Sequence, residues 1–214
     1  MIDRTHPFFT HKEELANSVS HGLGMVFGLI GVPLLIWAAA QSGNQIAVVS
    51  SIVYGISFLM VFTSSTFYHG CHEPRLKEML KIVDHICIYF LIAGTYTPFV
   101  LMYVYNKTGI TILLILWILT LIGTVLKLWF TGKFELLSTG VYVLMGWMLV
   151  FAGKTFFISL PSPILWLIVA GGLLYTLGVI FFLWERYRYH HAVWHLFVLA
   201  GGICHFVAVW IAVK

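Results

Sequence analysis

Charge is what this chain has least of. Lys, Arg, Asp and Glu make up 9% of its 214 residues, against 60% hydrophobic residues. A soluble domain of this size could not bury that much apolar side chain. The composition therefore excludes an ordinary water-soluble globule and calls for a polytopic membrane protein. The cations give a net charge of +4 but form no basic stripe, and no polar domain is there to carry one. That excludes nucleic-acid binding. Cysteine is scarce too. Cys71, Cys87 and Cys204 are odd in number and dispersed, which excludes a disulfide framework. They read as small buried thiols, with contact between a soft metal and Cys71 or Cys87 as the lesser alternative. The opening "MIDRTHPFFTHKEELANSVSHG" lacks the basic n-region, short apolar core and small-residue cleavage site of a secretory signal. The first apolar span is expected to stay in the membrane. There is no internal repeat and no low-complexity segment.

Long hydrophobic runs are what the chain has in abundance. A bilayer core takes about 20 apolar residues per helix. Seven stretches qualify, at 21–41, 45–68, 82–105, 108–130, 135–153, 162–184 and 190–213. The fifth is the weakest, being short and interrupted by glycine. The connections are too brief for a second domain, so residues 1–214 read as one seven-helix domain, with 1–20 a short N-terminal segment. Pro33 and Pro98 are expected to kink the first and third spans, with nearby threonines taking up freed carbonyls. Gly24 and Gly28 make a pair that lets helices approach closely, a weak signal in so apolar a chain. Trp37, Tyr103 and Trp210 read as belts at the membrane interface.

Orientation follows from the loop cations. Arg4, Lys12, Arg75, Lys77, Lys81, Lys127, Lys133, Arg186 and Arg188 fall on one side, nine in all; Lys107, Lys154 and Lys214, three in all, fall on the other. The expectation is a cytoplasmic N-terminus and an outside C-terminus. His69 then closes the second span at its cytoplasmic end. Asp84, His191 and His195 open the third and seventh spans at the same depth.

Polar groups at membrane depth are costly and usually functional. His191 and His195 are four apart, so both rings leave one helical face. His69 is the natural third ligand, from another helix. Zinc takes nitrogen ligands at about 2.0–2.1 Å, and catalytic sites use three protein ligands plus water. Ser65 lies one turn deeper than His69, and Asp84 is placed to orient a ligand or water. The bland alternative is a set of interfacial histidines bonded to headgroups or water. Together with Asp84, the metal site is the better reading. His190 and His85 adjoin key residues but point elsewhere on their helices, and His72 is in a loop. His6 and His11 carry no signal. His205 is about 15 Å along the helix from His195 and cannot share its metal; it reads as a hydrogen-bonded histidine of the bundle. Glu14, Asn17, Ser20 and His21 share a helical face before the first span. They read as an ordinary polar helix or as support for the site, and spacing leaves the two open.

Four motifs stand in order: Glu-x-x-Asn-x-x-Ser-His at 14–21, Ser-x-x-x-His at 65–69, Asp84 followed by "GTYTPF", and His-x-x-x-His at 191–195. Over essentially its whole length the chain resembles the hemolysin III family, the bacterial branch of the progestin and adipoQ receptor (PAQR) superfamily. The resemblance implies a seven-helix fold in the bacterial inner or plasma membrane, with the N-terminus inside. It implies a zinc ion on His69, His191 and His195, with Ser65 and Asp84 near the metal as catalytic residues. Its eukaryotic members are associated with ceramidase-like amide hydrolysis, and bacterial members with haemolysis and membrane-lipid homeostasis. The long cytoplasmic N-terminal region of the eukaryotic receptors has no counterpart before the first span, which argues against a receptor role.

Three functions compete. One is a zinc-dependent hydrolase of a lipid amide or ester, with membrane lipids as its partners. The second is a cytolysin, which would need a water-soluble form that this composition does not offer. The third is a non-catalytic sensor in which zinc only staples helices together.

Overall fold

The computed structural model describes residues 9–214, so Asp3, Arg4 and His6 lie outside the described residues. Among the described residues every regular element is helical. The chain forms α1 (His11–Gln41), α2 (Gln45–Gly70), α3 (Pro74–Tyr103), α4 (Lys107–Phe130), α5 (Glu135–Gly146), a 3-10 segment (Met148–Ala152), α6 (Gly153–Ser159), α7 (Ser162–Leu183) and α8 (His190–Val213). Six of these, α1 to α4, α7 and α8, are long and apolar enough to cross a membrane. With that composition, the chain is a multi-pass membrane protein.

Local chemistry sets the helix starts. Thr10 and Glu13 form a reciprocal capping box, so α1 begins at His11, well before its apolar stretch. This places Glu14, Asn17, Ser20 and His21 inside a membrane helix. Asn44 caps α2, Glu73 caps α3 with Pro74 in its first turn, and Asn106 caps α4. α5 and α8 instead start after Phe134 and Tyr189, both at positive φ. Pro33 and Pro98 sit within continuous helices. Beside Pro98, the Thr95 and Thr97 hydroxyls donate to the carbonyls of Leu91 and Ala93.

Consecutive long helices pack antiparallel. Along α1 and α2, Ser18 Oγ donates to the Thr66 carbonyl, while deeper in the bundle Gly28 faces Leu59 and Phe58. Absent side chains allow this approach. A Cβ at Gly28 would stand 2.8 Å from Leu59, and one at Gly24 would collide with the Phe62 ring. α8 lies against α7, α1 and α2 and runs parallel to α1, with His195 beside His21 and Phe206 beside Gly31. The start of α1, the end of α2 and the start of α8 therefore meet at one end of the bundle.

The fifth apolar stretch is three helical pieces rather than one helix. Gly153, at φ +63°, separates the 3-10 turn from the body of α6. The stretch still runs beside α3 and in its direction. Glu135 Oε1 is 4.0 Å from Lys81 Nζ, Tyr142 donates to the His85 carbonyl at 3.1 Å, and Tyr96 donates to the Gly146 carbonyl at 2.8 Å.

Candidate metal centre

His69, His191 and His195 converge at the end of the bundle where α1, α2 and α8 meet. One ligand nitrogen from each lies within 4.8 Å of the others. Ring centroids are 5.1 Å apart for His69–His191, 5.1 Å for His69–His195 and 4.5 Å for His191–His195. His69 and His195 are buried and His191 is half-buried. The helical repeat explains the convergence. His191 and His195 project from one face of α8, and antiparallel packing brings the end of α2 to the same level.

α1 orients two of the three rings. The His69 Nδ1–H donates to Glu14 Oε2 at 2.7 Å, and Lys77 Nζ holds the other Glu14 oxygen at 3.0 Å. Lys77 also donates to the carbonyls of Tyr68 and Cys71, at the end of α2. One ammonium thus ties α1, α2 and α3 together behind His69. The His195 Nδ1–H donates to the Asn17 carbonyl at 3.0 Å, beside the Ser20 hydroxyl at 3.1 Å. With Nδ1 engaged on both rings, Nε2 is the nitrogen free to coordinate.

His69 Nε2 is buried and has no hydrogen-bond partner. An orphaned imidazole nitrogen is costly in a membrane interior unless something ligates it. Three neutral nitrogen donors, two of them fixed by their outer bonds, fit a divalent metal such as zinc. Among the described residues the group stops at three members. Cys71 and Cys87 are free thiols outside it.

The remaining polar residues occupy distinct places. Ser65 is fully buried on α2, one turn from His69, and interacts with half-buried Asp84 of α3. Ser65 Oγ is buried and has no other polar partner among the described residues. Asp84 stands outside the 4.8 Å group. His85 bonds the Lys81 carbonyl and His190 the Phe181 carbonyl, away from the triad. His72 pairs with His11. His205 Nε2 donates to the Ile168 carbonyl at 3.2 Å, a hydrogen-bonded histidine in the bundle.

Glu14, Asn17, Ser20 and His21, left open by their spacing, all surround the triad. The signal was their shared helical face. Two further contributors had no sequence signal. Lys77 enters the sequence reading only as a loop cation, and Phe9 belongs to no motif. In the structure the Phe9 ring lies 5.0 Å from His191 and 6.0 Å from His69.

Fold and site together define a class: a multi-pass helical membrane protein with a three-histidine centre buried at one end. The profile of the family "Haemolysin-III related" matches residues 9–206, and the chain belongs to that family. It is 43% identical over 201 residues to "Hemolysin-3 homolog" of Bacillus subtilis, covering 94% of each chain. It is 41% identical over 198 residues to "Hemolysin-3" of Bacillus cereus, covering 92% of this chain and 90% of that one. A more distant PAQR-type relative is the human "Monocyte to macrophage differentiation factor", 26% identical over 208 residues and covering 94% and 84%.

Proposed function

We propose that this chain is a zinc-dependent membrane hydrolase acting on a lipid amide or ester, with a role in membrane-lipid homeostasis. The observation that carries the reading is the orphaned His69 Nε2, set opposite a Glu14-bound Nδ1 in a buried group of three histidines. Zinc would be held by His69, His191 and His195. When bound, it supplies Lewis acidity and activation of water at neutral pH. The chain's own residues do the rest. Glu14 and the Asn17 carbonyl hold two rings in the tautomer that coordinates. Asp84, partly buried on α3, accepts and returns the proton at its carboxylate oxygen. Ser65, one turn from His69, offers its hydroxyl to the substrate. The surrounding apolar helices admit an acyl chain from the bilayer and limit water.

A structural staple is the main rival. A closed site would hold a fourth protein ligand, and among the described residues the histidine group stops at three. This favours an open position and therefore chemistry. A cytolysin role, suggested by the relatives' names, gives the buried triad no task.

The orientation belongs to the same proposal, with the N-terminus inside, the C-terminus outside and seven crossings. The stretch from Glu135 to Ser159 would make the fifth crossing as a broken helix. Its contacts climb α3 from Lys81 to Tyr96, which is about 22 Å at 1.5 Å per residue.

The test is fatty-acid release from acyl amides and acyl esters by the zinc-loaded protein in lipid nanodiscs, with and without chelator. Chelator-sensitive product that Asp84→Asn nearly abolishes, with most zinc retained, is the expected result. No chelator-sensitive product from any long-chain substrate would leave the staple as the better reading.

A further inference from the structure

Antiparallel packing of α1 and α2 sets up a ladder of polar contacts. Its deepest rung joins Ser18 to the Thr66 carbonyl at 2.9 Å, and the next joins Glu14 to His69 at 2.7 Å. One turn further out, in the same register, His11 Nδ1 stands 3.3 Å from His72 Nε2. His11 is the first residue of α1, and His72 follows the end of α2.

Both imidazoles are exposed, and their ring centroids lie 5.3 Å apart with 39° between planes. A hydrogen bond between exposed rings gains little, because water serves either nitrogen nearly as well. The spacing has a second use. Two nitrogens held about 2.0–2.1 Å from a tetrahedral zinc stand about 3.3 Å apart. Position matters as much. His11 is about 4.5 Å along α1 from Glu14, at 1.5 Å per residue, and Glu14 holds His69. The exposed pair therefore lies one turn outside a buried member of the triad. Nearby charge is mixed. Lys12 and Arg75 flank the two histidines, and so do Glu13 and Glu73, the carboxylates that cap α1 and α3.

We propose that His11 and His72 form a weak, exposed metal site through which a divalent ion reaches His69, His191 and His195. Two protein donors, with water completing the shell, are too few to keep an ion. That suits a site that hands the ion on. Imidazole is a good donor for zinc, and an ion held one turn away meets the triad at high effective concentration. Its hydration shell is then shed in two stages rather than one. The inference rests on the triad holding a metal and not on hydrolysis.

The experiment follows zinc uptake by metal-stripped protein in nanodiscs, by stopped flow with a fluorescent zinc indicator. Wild type should load at a rate that saturates as free zinc rises, the mark of an ion held first at the entrance. His11→Ala and His72→Ala should lose the saturation and load roughly ten-fold more slowly at low zinc, yet reach the same final zinc content. His11→Asn keeps a hydrogen-bonding partner for His72 but is a poor zinc ligand, so it should load as slowly as His11→Ala. Unchanged loading in both alanine variants would overturn the proposal. So would a His11→Asn protein that loads like wild type, because the pair would then only fasten α1 to the loop after α2. A lower final zinc content in the alanine variants would also overturn it, by making the pair part of the resting site. His69→Ala separates this failure from that of the triad. If it takes up as much zinc as wild type, the triad assignment fails and the entry site goes with it.

Discussion

What a histidine's second nitrogen touches decides here whether the ring is free to take a metal. His69, bonded to Glu14, and His195, bonded to the Asn17 carbonyl, each keep Nε2 for the metal. His205, whose Nε2 is bonded to Ile168, does not join them. Replacing His69, His191 or His195 with Ala should remove most zinc from the purified protein, because two donors are too few for a stable site. His205→Ala should leave metal content unchanged. Elemental analysis of the four variants decides this, and full zinc in His191→Ala and His195→Ala would refute the assignment. The Glu14 carboxylate makes a distinct prediction. Glu14→Ala should weaken zinc affinity by about 10- to 100-fold, the usual effect of losing a ligand's outer partner. Glu14→Gln keeps an acceptor and should lose less. Competition against a chelator of known affinity measures both. Identical affinities in wild type and Glu14→Ala would show that the Glu14 bond does not set the affinity of His69 for the metal.

At the scale of the helix, the extension of α1 to His11 matters most. Its capped first turns carry Glu14, Asn17 and Ser20 to the triad, and its glycines let it sit close to α2. Gly24→Leu would drive a side chain into Phe62. Overpacking of this kind costs about 1–3 kcal/mol. The variant should melt at lower temperature and also bind zinc more weakly, since α1 cannot move away from α2 without withdrawing Glu14 from His69. Gly140→Ala is the control, because nothing lies within 4 Å of its Cβ position. Its melting temperature should hold or rise, helical alanine being favoured over glycine by about 1 kcal/mol. A thermal-shift series in detergent resolves the two. A Gly24→Leu protein as stable and as zinc-loaded as wild type would show that α1 packing does not govern the site.

The whole molecule adds orientation and linkage. The nine-to-three imbalance of loop cations predicts that a reporter enzyme active only outside the cell works when fused at residue 214 and fails when fused near Arg75. The reverse pattern would move the metal centre to the outer face. A metal on the three histidines would join α2 to α8, and the outer bonds of those histidines reach α1 and, through Lys77, α3. A ligand of the folded state alone stabilises it by mass action, about 2.7 kcal/mol at 100 times its Kd. Stripping zinc should therefore lower the melting temperature of the whole bundle, and adding it back should restore it. Melting curves that do not respond to zinc would argue against a metal that bridges helices.

Membrane class was legible from composition, because apolar side chains in this proportion have only a bilayer to enter. The boundaries of the long helices were legible to within a few turns, because their apolar runs and caps are local. So was the convergence of the three histidines, because the four-residue spacing of His191 and His195 survives any packing, and because His69 closes a helix that returns to their side. The break in the fifth stretch was visible only as scattered glycines. Where the helix fails depends on the positive φ at Gly153 and on α3 carrying the neighbouring contacts. The role of Glu14, Asn17, Ser20 and His21 needed the fold. A shared helical face says that residues point together and not at what. Lys77 and Phe9 had no pattern to read, since Glu14 and the histidine rings they meet are far away in the chain. Periodicity and hydropathy are properties of a single helix, and they recovered the six long helices. Which nitrogen is bonded, which is orphaned and what covers the site are properties of contacts between helices, and only packing decides them.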